Sequence, residues 1–317
     1  MVALLLVIGT IFLAGCKKDE VVQETELPVV RYISYPIYDS VFVGVDKGLF
    51  EKHGIKVELT SLIAGGPNAI QAVAGGNAEA GLSSIMGIIN ARGAGLPIVG
   101  VADLQSAREE SALEEFFVRA DSDIADIDDL RGKKLATNLL RSSFHYTILM
   151  ALEASGIKED EVEFVLLPFQ DQATALHEGH VDMIGLMQPH IAKAEDLFEI
   201  KPLFDALDVF GEKQFSLIFV NKIWAENNSE QATAFVAGIA DAIDWLLENQ
   251  EDAKAIISKY TNVEEQYIED YFYQEDGKVN IQDCQFWLEY MKGRGELSVD
   301  WLKVEDFATN KYNERIK

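Results

Sequence analysis

The chain has 317 residues, of which 48% are hydrophobic, 10% aromatic and 25% charged. This composition is typical of a folded protein with a substantial core, and it excludes a disordered or fibrous chain. A single core has usually stopped growing at this length, so about two domains are expected. The 27 lysines and arginines are outnumbered by 53 aspartates and glutamates, giving a net charge of -26. This balance argues against nucleic acid as a partner, because phosphate binding needs a basic surface.

The first segment is predicted to be a signal peptide that does not belong to the fold. Val2 to Leu13 form an uncharged apolar run, shorter than the ~20 residues that span a bilayer and typical of a secretory signal. The run ends in Leu13-Ala14-Gly15-Cys16, which resembles a bacterial lipobox. We therefore predict a signal peptide over 1–15, a lipid on Cys16 and a polar tether over 16–27. The chain would be anchored by this lipid alone, on the extracytoplasmic side of the membrane.

Two features with reactive side chains are assigned structural roles. Beyond Cys16 the chain contains one further cysteine, Cys284, which shares a helical face with apolar residues and is predicted to pack in the core. The sequence His177-Glu178-Gly179-His180 spaces its histidines three apart at a helix end, whereas the zinc-protease motif needs a spacing of four. No metal site, cofactor or catalytic acid–base pair is predicted, and we do not expect an enzyme.

Predicted strands and helices alternate along the chain from residue 29. Strands are predicted over 29–34, 56–60, 80–82, 97–101, 116–118, 135–137, 162–167, 181–186 and 214–220, with helices between most of them. This alternation indicates an α/β architecture with a largely parallel sheet. Everything from Glu226 onward is predicted to be helical, and Thr261-Asn262-Val263-Glu264 has the pattern of a capping box.

The alternation runs through two similar halves. We predict two α/β lobes joined by two extended crossings, near Phe117 and Phe219, with the C-terminal helices packed on the first lobe. Lobe 1 would comprise residues 28–117 and 220–317, and lobe 2 residues 118–219. Such a pair of lobes can close about a hinge.

Five stretches of the chain resemble a known family. They are 43–59, 65–82, 90–102, 119–137 and 175–194, and they cover most of residues 28–220. These stretches resemble the type II periplasmic binding proteins of the nitrate, sulfonate and taurine transporter group, which includes the NMT1/THI5-like proteins. The resemblance implies the type II fold with a two-strand hinge. It also implies a monomer that captures a small organic solute and delivers it to an ABC permease and its ATPase subunits.

Candidate ligand-binding residues follow from the position of the loops. Ligands of open α/β lobes bind beyond the carboxyl ends of the strands, where helix N-termini present free N–H groups. The candidates in such loops are Tyr35, Tyr38, Gly66, Asn68, Ser83, Ser84, Asn138, Ser142, Ser143, His145 and Gln188. Helix capping by the serines and packing of the tyrosines at a strand end stay open as alternative roles.

Two solute classes stay open. Helix N-termini and serine-rich loops favour an aliphatic sulfonate, taurine, nitrate or a similar anion. The alternative is a pyrimidine precursor of thiamine or another aromatic heterocycle, with Tyr35 or Tyr38 stacking on the ring and an acidic side chain binding its amine. The pyrimidine-synthesising members of the superfamily offer an enzymatic alternative, but they carry a cysteine-rich motif that this sequence lacks.

Overall fold

The computed structural model describes residues 26–62, 65–268, 272–297 and 299–316. The predicted signal peptide, Cys16 and nearly all of the predicted tether lie outside these residues. Within the described ranges, no helix combines the length and apolarity needed to cross a membrane.

The described chain alternates between strands and helices, as predicted. The strands are β1 (Val29–Ser34), β2 (Lys56–Leu62), β3 (Ala80–Ser84), β4 (Ile98–Ala107), β5 (Glu115–Arg119), β6 (Lys134–Thr137), β7 (Glu163–Leu166), β8 (Ile184–Leu186), β9 (Ile200–Asp205) and β10 (Lys213–Asn221). The helices are α1 (Ser40–Asp46), α2 (Gly66–Ala74), α3 (Ile85–Gly93), α4 (Ser143–Ala154), α5 (Phe169–His177), α6 (His190–Leu197), α7 (Ala206–Phe210), α8 (Lys222–Asn227), α9 (Ser229–Glu248), α10 (Gln250–Thr261), α11 (Ile281–Gly293) and α12 (Val304–Phe307).

The first lobe is built on a five-stranded sheet in the order β2-β1-β3-β10-β4. Strand β1 is parallel to both β2 and β3, whereas β10 is antiparallel to β3 and to β4. The residues of β4 and the interior of β10 are buried. This burial explains why both strands read as nearly continuous apolar runs in the sequence.

The second lobe repeats this strand order. Strands β8, β5 and β9 form one sheet and β6 and β7 another, and a parallel bridge from Leu135 to Met183 joins β6 to β8. The combined order is β7-β6-β8-β5-β9, with β5 antiparallel to both of its neighbours. In each lobe, the chain therefore enters the antiparallel strand directly from the other lobe.

The two crossings lie earlier in the chain than the sequence suggested. Phe117 lies inside β5 and Phe219 inside β10, so the predicted positions fall within strands. The crossings instead occupy 108–114 and 206–212, and the second contains α7. The apolar runs that suggested extended linkers belong to the buried antiparallel strands.

The C-terminal helices pack on the first lobe, but they are not continuous. Helices α9 and α10 contact α1, while α11 contacts α3 and β10. The predicted capping box is wrong: Thr261 ends α10, its Oγ1 donates to the carbonyl of Ile257 at 2.8 Å, and Asn262 is the left-handed C-cap. The described parts of 262–280 contain only short 3-10 turns, so the prediction of helix throughout is also wrong.

Candidate functional site

The loops at the carboxyl ends of the strands meet between the lobes. Helices α1, α2 and α3 of the first lobe begin at such loops, as do α4 and α6 of the second. A Cβ built on Gly65 would lie 3.2 Å from Cδ1 of Leu139, so the α2 loop touches the α4 loop across the gap. We call the region enclosed by these loops and the first crossing, 108–114, the interlobe cleft.

Asp39 organises the loop that follows β1. The buried carboxylate accepts hydrogen bonds from the hydroxyls of Tyr32 and Ser34, both at 2.8 Å. It also accepts the backbone N–H of Val41 at 2.9 Å and so caps α1. Burial raises the pKa of Asp39 to about 6, although these three hydrogen bonds favour the ionised form.

Glu114 lies at the end of the first crossing and is the most unusual polar group of the cleft. The residue is only 1% exposed. Its Oε2 accepts a hydrogen bond of 2.6 Å from the Thr147 hydroxyl on α4, while its Oε1 has no partner among the described residues. Burial raises the pKa of Glu114 to about 7, against the opposing effect of the hydroxyls of Ser143 and Thr147.

Tyr35 of the first lobe lies within electrostatic range of this carboxylate. Its pKa is raised strongly, first by burial and then by the negative charges of Asp39 and Glu114. The predicted residue Tyr35 of lobe 1 and the predicted residue Ser143 of lobe 2 are thus both close to Glu114. Sequence reasoning missed Glu114 because it stands in a glutamate-rich stretch, Glu109 to Glu115, that resembles a solvated surface.

Ser83 occupies a narrow space between two helix N-termini. A Cβ on Gly66 would lie 2.3 Å from Oγ of Ser83, and a Cβ on Gly87 would lie 2.6 Å from it. The hydroxyl is buried and has no hydrogen-bond partner among the described residues. Its neighbour Ser84 has a different role, since its Oγ accepts the N–H of Gly87 at 3.2 Å and caps α3.

The predicted residues of the second-lobe loop largely bond to one another. Ser142 caps α4 by accepting the N–H of His145, and its hydroxyl donates to Oδ1 of Asn138 at 2.8 Å. The ring of His145 accepts the N–H of Arg141 at 3.3 Å and packs edge-on against Phe164 at 4.7 Å. Burial lowers the pKa of His145. These contacts give Asn138, Ser142 and His145 structural roles in shaping the loop.

Three other predicted residues, Tyr38, Gln188 and Asn68, differ in their contacts and exposure from the residues described above. The buried Tyr38 donates its hydroxyl to the carbonyl of Tyr267 at 3.1 Å. Gln188 accepts the N–H of Ala192 at 3.3 Å and lines a polar cavity of about 250 Å³ between the first crossing and α6. Asn68 is exposed in the first turn of α2. The structure thus brings Tyr35 and Ser143 to Glu114 and Gly66 to Ser83, but gives Tyr38 and Gln188 other contacts.

Among the buried side-chain atoms that have no hydrogen-bond partner in the described residues are four oxygens at the cleft. They are Oγ of Ser40, Oγ of Ser83, Oε1 of Glu114 and Oγ1 of Thr137. Each belongs to a loop or strand end at the cleft, and Thr137 ends β6. Buried polar atoms without partners are rare in folded proteins, so such a set marks where a polar ligand can bind.

Comparison with known proteins identifies the family of the chain. The family model described as NMT1/THI5 like matches residues 38–253. An aliphatic sulfonates-binding protein of Escherichia coli K12 is 25% identical over 194 residues, which cover 61% of this chain and 59% of that protein. A formylaminopyrimidine-binding protein of Halalkalibacterium halodurans is 24% identical over 263 residues, covering 80% of this chain and 76% of that protein.

The fold is also that of solved structures. The crystal structure of the periplasmic aliphatic sulphonate binding protein SsuA from Escherichia coli superposes with a TM-score of 0.73 at 19% identity, covering 88% of this chain and 91% of that one. The resemblance predicted from the sequence is confirmed. The chain belongs to the NMT1/THI5-like family and has the type II periplasmic binding protein fold.

Proposed function

We propose that the chain is an extracytoplasmic substrate-binding protein that captures a small organic solute in the interlobe cleft and delivers it to an ABC importer. Family membership and the described activities of the two curated relatives support this proposal. Lipid attachment at Cys16 and a monomeric state remain parts of the proposal. Binding is favoured over catalysis because both relatives are described as binding proteins. Burial also raises the pKa of Cys284, so this thiol inside α11 is a poor nucleophile.

The observation that carries the solute class is Oε1 of Glu114, which is buried and forms no hydrogen bond of normal geometry with any described residue. A buried carboxylate oxygen without a hydrogen-bond partner destabilises the folded protein when the acid is ionised. A solute that donates an N–H group to this oxygen removes the unfavourable free energy. A sulfonate alone would instead bring a further negative charge close to the two carboxylates of Glu114 and Asp39. We therefore favour a solute with N–H donors, such as an aminopyrimidine, which could stack on Tyr35. One curated relative is described as a formylaminopyrimidine-binding protein.

An anionic solute is the second candidate, supported by Ser83. Its free hydroxyl lies between the N-terminal turns of α2 and α3, where helix N-termini favour negative charge. The other curated relative is described as an aliphatic sulfonates-binding protein. A solute with both a sulfonate and an amine could use Ser83 and Glu114 together.

A calorimetric panel separates these candidates. Ethanesulfonate and taurine differ only by an amino group, and formylaminopyrimidine carries N–H donors without a sulfonate. We expect formylaminopyrimidine to bind and Glu114→Gln to weaken it by roughly tenfold or more, because hydrogen bonds to charged groups are the strong ones. Binding of ethanesulfonate as tight as that of taurine, and unchanged in Glu114→Gln, would support the anion candidate instead.

A further inference from the structure

A cluster of charged and polar side chains joins the two lobes outside the cleft. Arg294 follows α11 in the first lobe, and its side chain is only 16% exposed. Its guanidinium forms ion pairs with Glu153 of α4 and, at 3.0 Å, with Glu159 of the second lobe. The third nitrogen, Nε, pairs with Glu296 of the first lobe at 2.7 Å. One arginine therefore connects both lobes through three carboxylates.

Two tyrosines extend this contact. The hydroxyl of Tyr146, on α4, donates to Glu296 at 2.5 Å and accepts from Nδ2 of Asn90, on α3, at 3.3 Å. The hydroxyl of Tyr290, on α11, donates to Glu153 at 3.3 Å. Every one of these bonds crosses from the second lobe to the first. We call Asn90, Tyr146, Glu153, Glu159, Tyr290, Arg294 and Glu296 the Arg294 cluster.

The position of the cluster along α11 makes its contacts sensitive to movement of the lobes. The middle of this helix is fixed beside the second crossing, where Nε1 of Trp287 donates to the carbonyl of Gln214, the second residue of β10, at 2.8 Å. Phe210 of α7 also packs edge-on against Trp287, with ring centroids 5.0 Å apart. Arg294 lies about two helical turns beyond Trp287, away from this crossing. A rotation of the second lobe about the crossings therefore changes the distance between Arg294 and its partners.

The interface beside Arg294 is suited to reversible contact. A cavity of about 460 Å³ lies beside the ion pairs, lined by Leu149, Leu152 and Ile157 together with the charged side chains. A permanent interface would be expected to fill such a space with close-packed side chains. Partly buried ion pairs depend on geometry and are lost when the partners separate.

We propose that Arg294 is an interlobe clasp that stabilises the closed arrangement in which Leu139 touches Gly65, and so sets how often the protein closes without solute. This inference concerns the empty protein and does not rest on the identity of the solute. The clasp would tune affinity, because apparent affinity falls with the fraction of molecules in the binding-competent state. Substitutions that weaken the clasp should therefore lower the affinity for solute, although they lie outside the cleft.

The test measures the lobe separation directly in the solute-free protein. Spin labels on Lys52→Cys and Glu178→Cys, both exposed and one in each lobe, report the separation in the full chain with Cys16→Ser, while buried Cys284 stays unlabelled. We expect Arg294→Met to raise the ratio of open to closed molecules by about tenfold, within the usual range of coupling between sites. Arg294→Lys should give a smaller rise, because lysine cannot hold three carboxylates with a planar group.

Two controls keep the result interpretable. Arg31→Met removes an ion pair with Glu79 that lies within the first lobe, so it should leave the distance distribution unchanged. The double variant Glu153→Gln with Glu159→Gln keeps the side-chain shapes and should reproduce Arg294→Met, even if that variant is less stable to heat. Distance distributions of Arg294→Met and the double variant that match the wild type would overturn the proposal, as would a shift toward closure.

Discussion

The hydroxyl of Thr147 donates a 2.6 Å hydrogen bond to Glu114, which joins the first crossing to the first turns of α4. This bond satisfies one carboxylate oxygen and leaves the other without a partner among the described residues. The crossing therefore places in the cleft a buried carboxyl group with only one of its two oxygens hydrogen-bonded. Such a group stores an unfavourable free energy that a suitable solute can relieve.

The first prediction concerns the pH dependence of stability. Burial raises the pKa of Glu114 from 4.5 to about 7, so the folded protein holds a proton that the unfolded chain releases. Stability should therefore fall as pH rises from about 4.5 to 7, and the loss should stay constant above that range. The full difference amounts to at most about 3 kcal/mol.

Glu114→Gln should remove this loss. We expect the solute-free variant to be more stable than the wild type at about pH 8 and the advantage to disappear toward about pH 4.5, as measured by urea unfolding across pH. Glu226→Gln, at an exposed position, serves as the control and should not change the slope. An advantage of Glu114→Gln that is independent of pH would contradict the assigned protonation.

The second prediction separates two adjacent serines. Ser83→Ala removes a buried hydroxyl that has no hydrogen-bond partner in the described part of the chain, so stability should be unchanged or slightly increased. Ser84→Ala removes the N-cap of α3 and should cost about 1 kcal/mol. If Ser83 contacts the solute, its variant alone should lose affinity while keeping its stability. Thermal unfolding and calorimetry on both variants check this, and equal loss of stability would argue against the distinction.

The third prediction tests the tight approach of α2 to Ser83. A Cβ at position 66 would lie 2.3 Å from Oγ and 3.0 Å from the backbone Cα of Ser83, so Gly66→Ala must displace backbone. We expect a loss of about 1 to 3 kcal/mol in stability. Gly293→Ala, at the end of α11, should instead be neutral or stabilising, because beyond the helix's own backbone no described atom lies within 4 Å of the new methyl. Denaturant unfolding of both variants tests the contrast.

The fourth prediction concerns how the segment before α11 is attached to the start of β10. Gln214 at the start of β10 donates to buried Asp103 at 2.5 Å and to the carbonyl of Lys278, and accepts the N–H of Asn280. Gln214→Leu keeps the volume but leaves three buried polar groups without this partner. We expect a loss of about 2 to 4 kcal/mol in urea unfolding. The exposed Gln282→Leu should change stability by less than about 0.5 kcal/mol.

Much of the fold was predictable because its signals are local. Alternating apolar runs and glycine turns predicted every described strand except β9 and most of the described helices, and the repetition of the pattern predicted the two-lobe architecture. The crossings were misplaced because a central antiparallel strand such as β10 reads as an apolar run whether it links two lobes or lies within one. Thr261 was misread because threonine near a helix end bonds to the preceding turn as readily as it caps the next helix.

The cleft was predicted only in part, because its chemistry depends on tertiary burial. Ser83 and Tyr35 were identified from their positions after strands. Glu114 carried no such signal, since only the folding of the first crossing against α4 buries one glutamate of an acidic run. Tyr38 was favoured by its sequence position, but its hydroxyl bonds to Tyr267, far away in the chain.

The most direct test of the account is a calorimetric titration of formylaminopyrimidine into the wild type and Glu114→Gln at about pH 8, where Glu114 is ionised. We predict binding to the wild type and a loss of roughly tenfold or more in the variant. Tighter binding of ethanesulfonate than of formylaminopyrimidine, with no effect of Glu114→Gln on either, would contradict the assignment of Glu114 as the group that selects the solute.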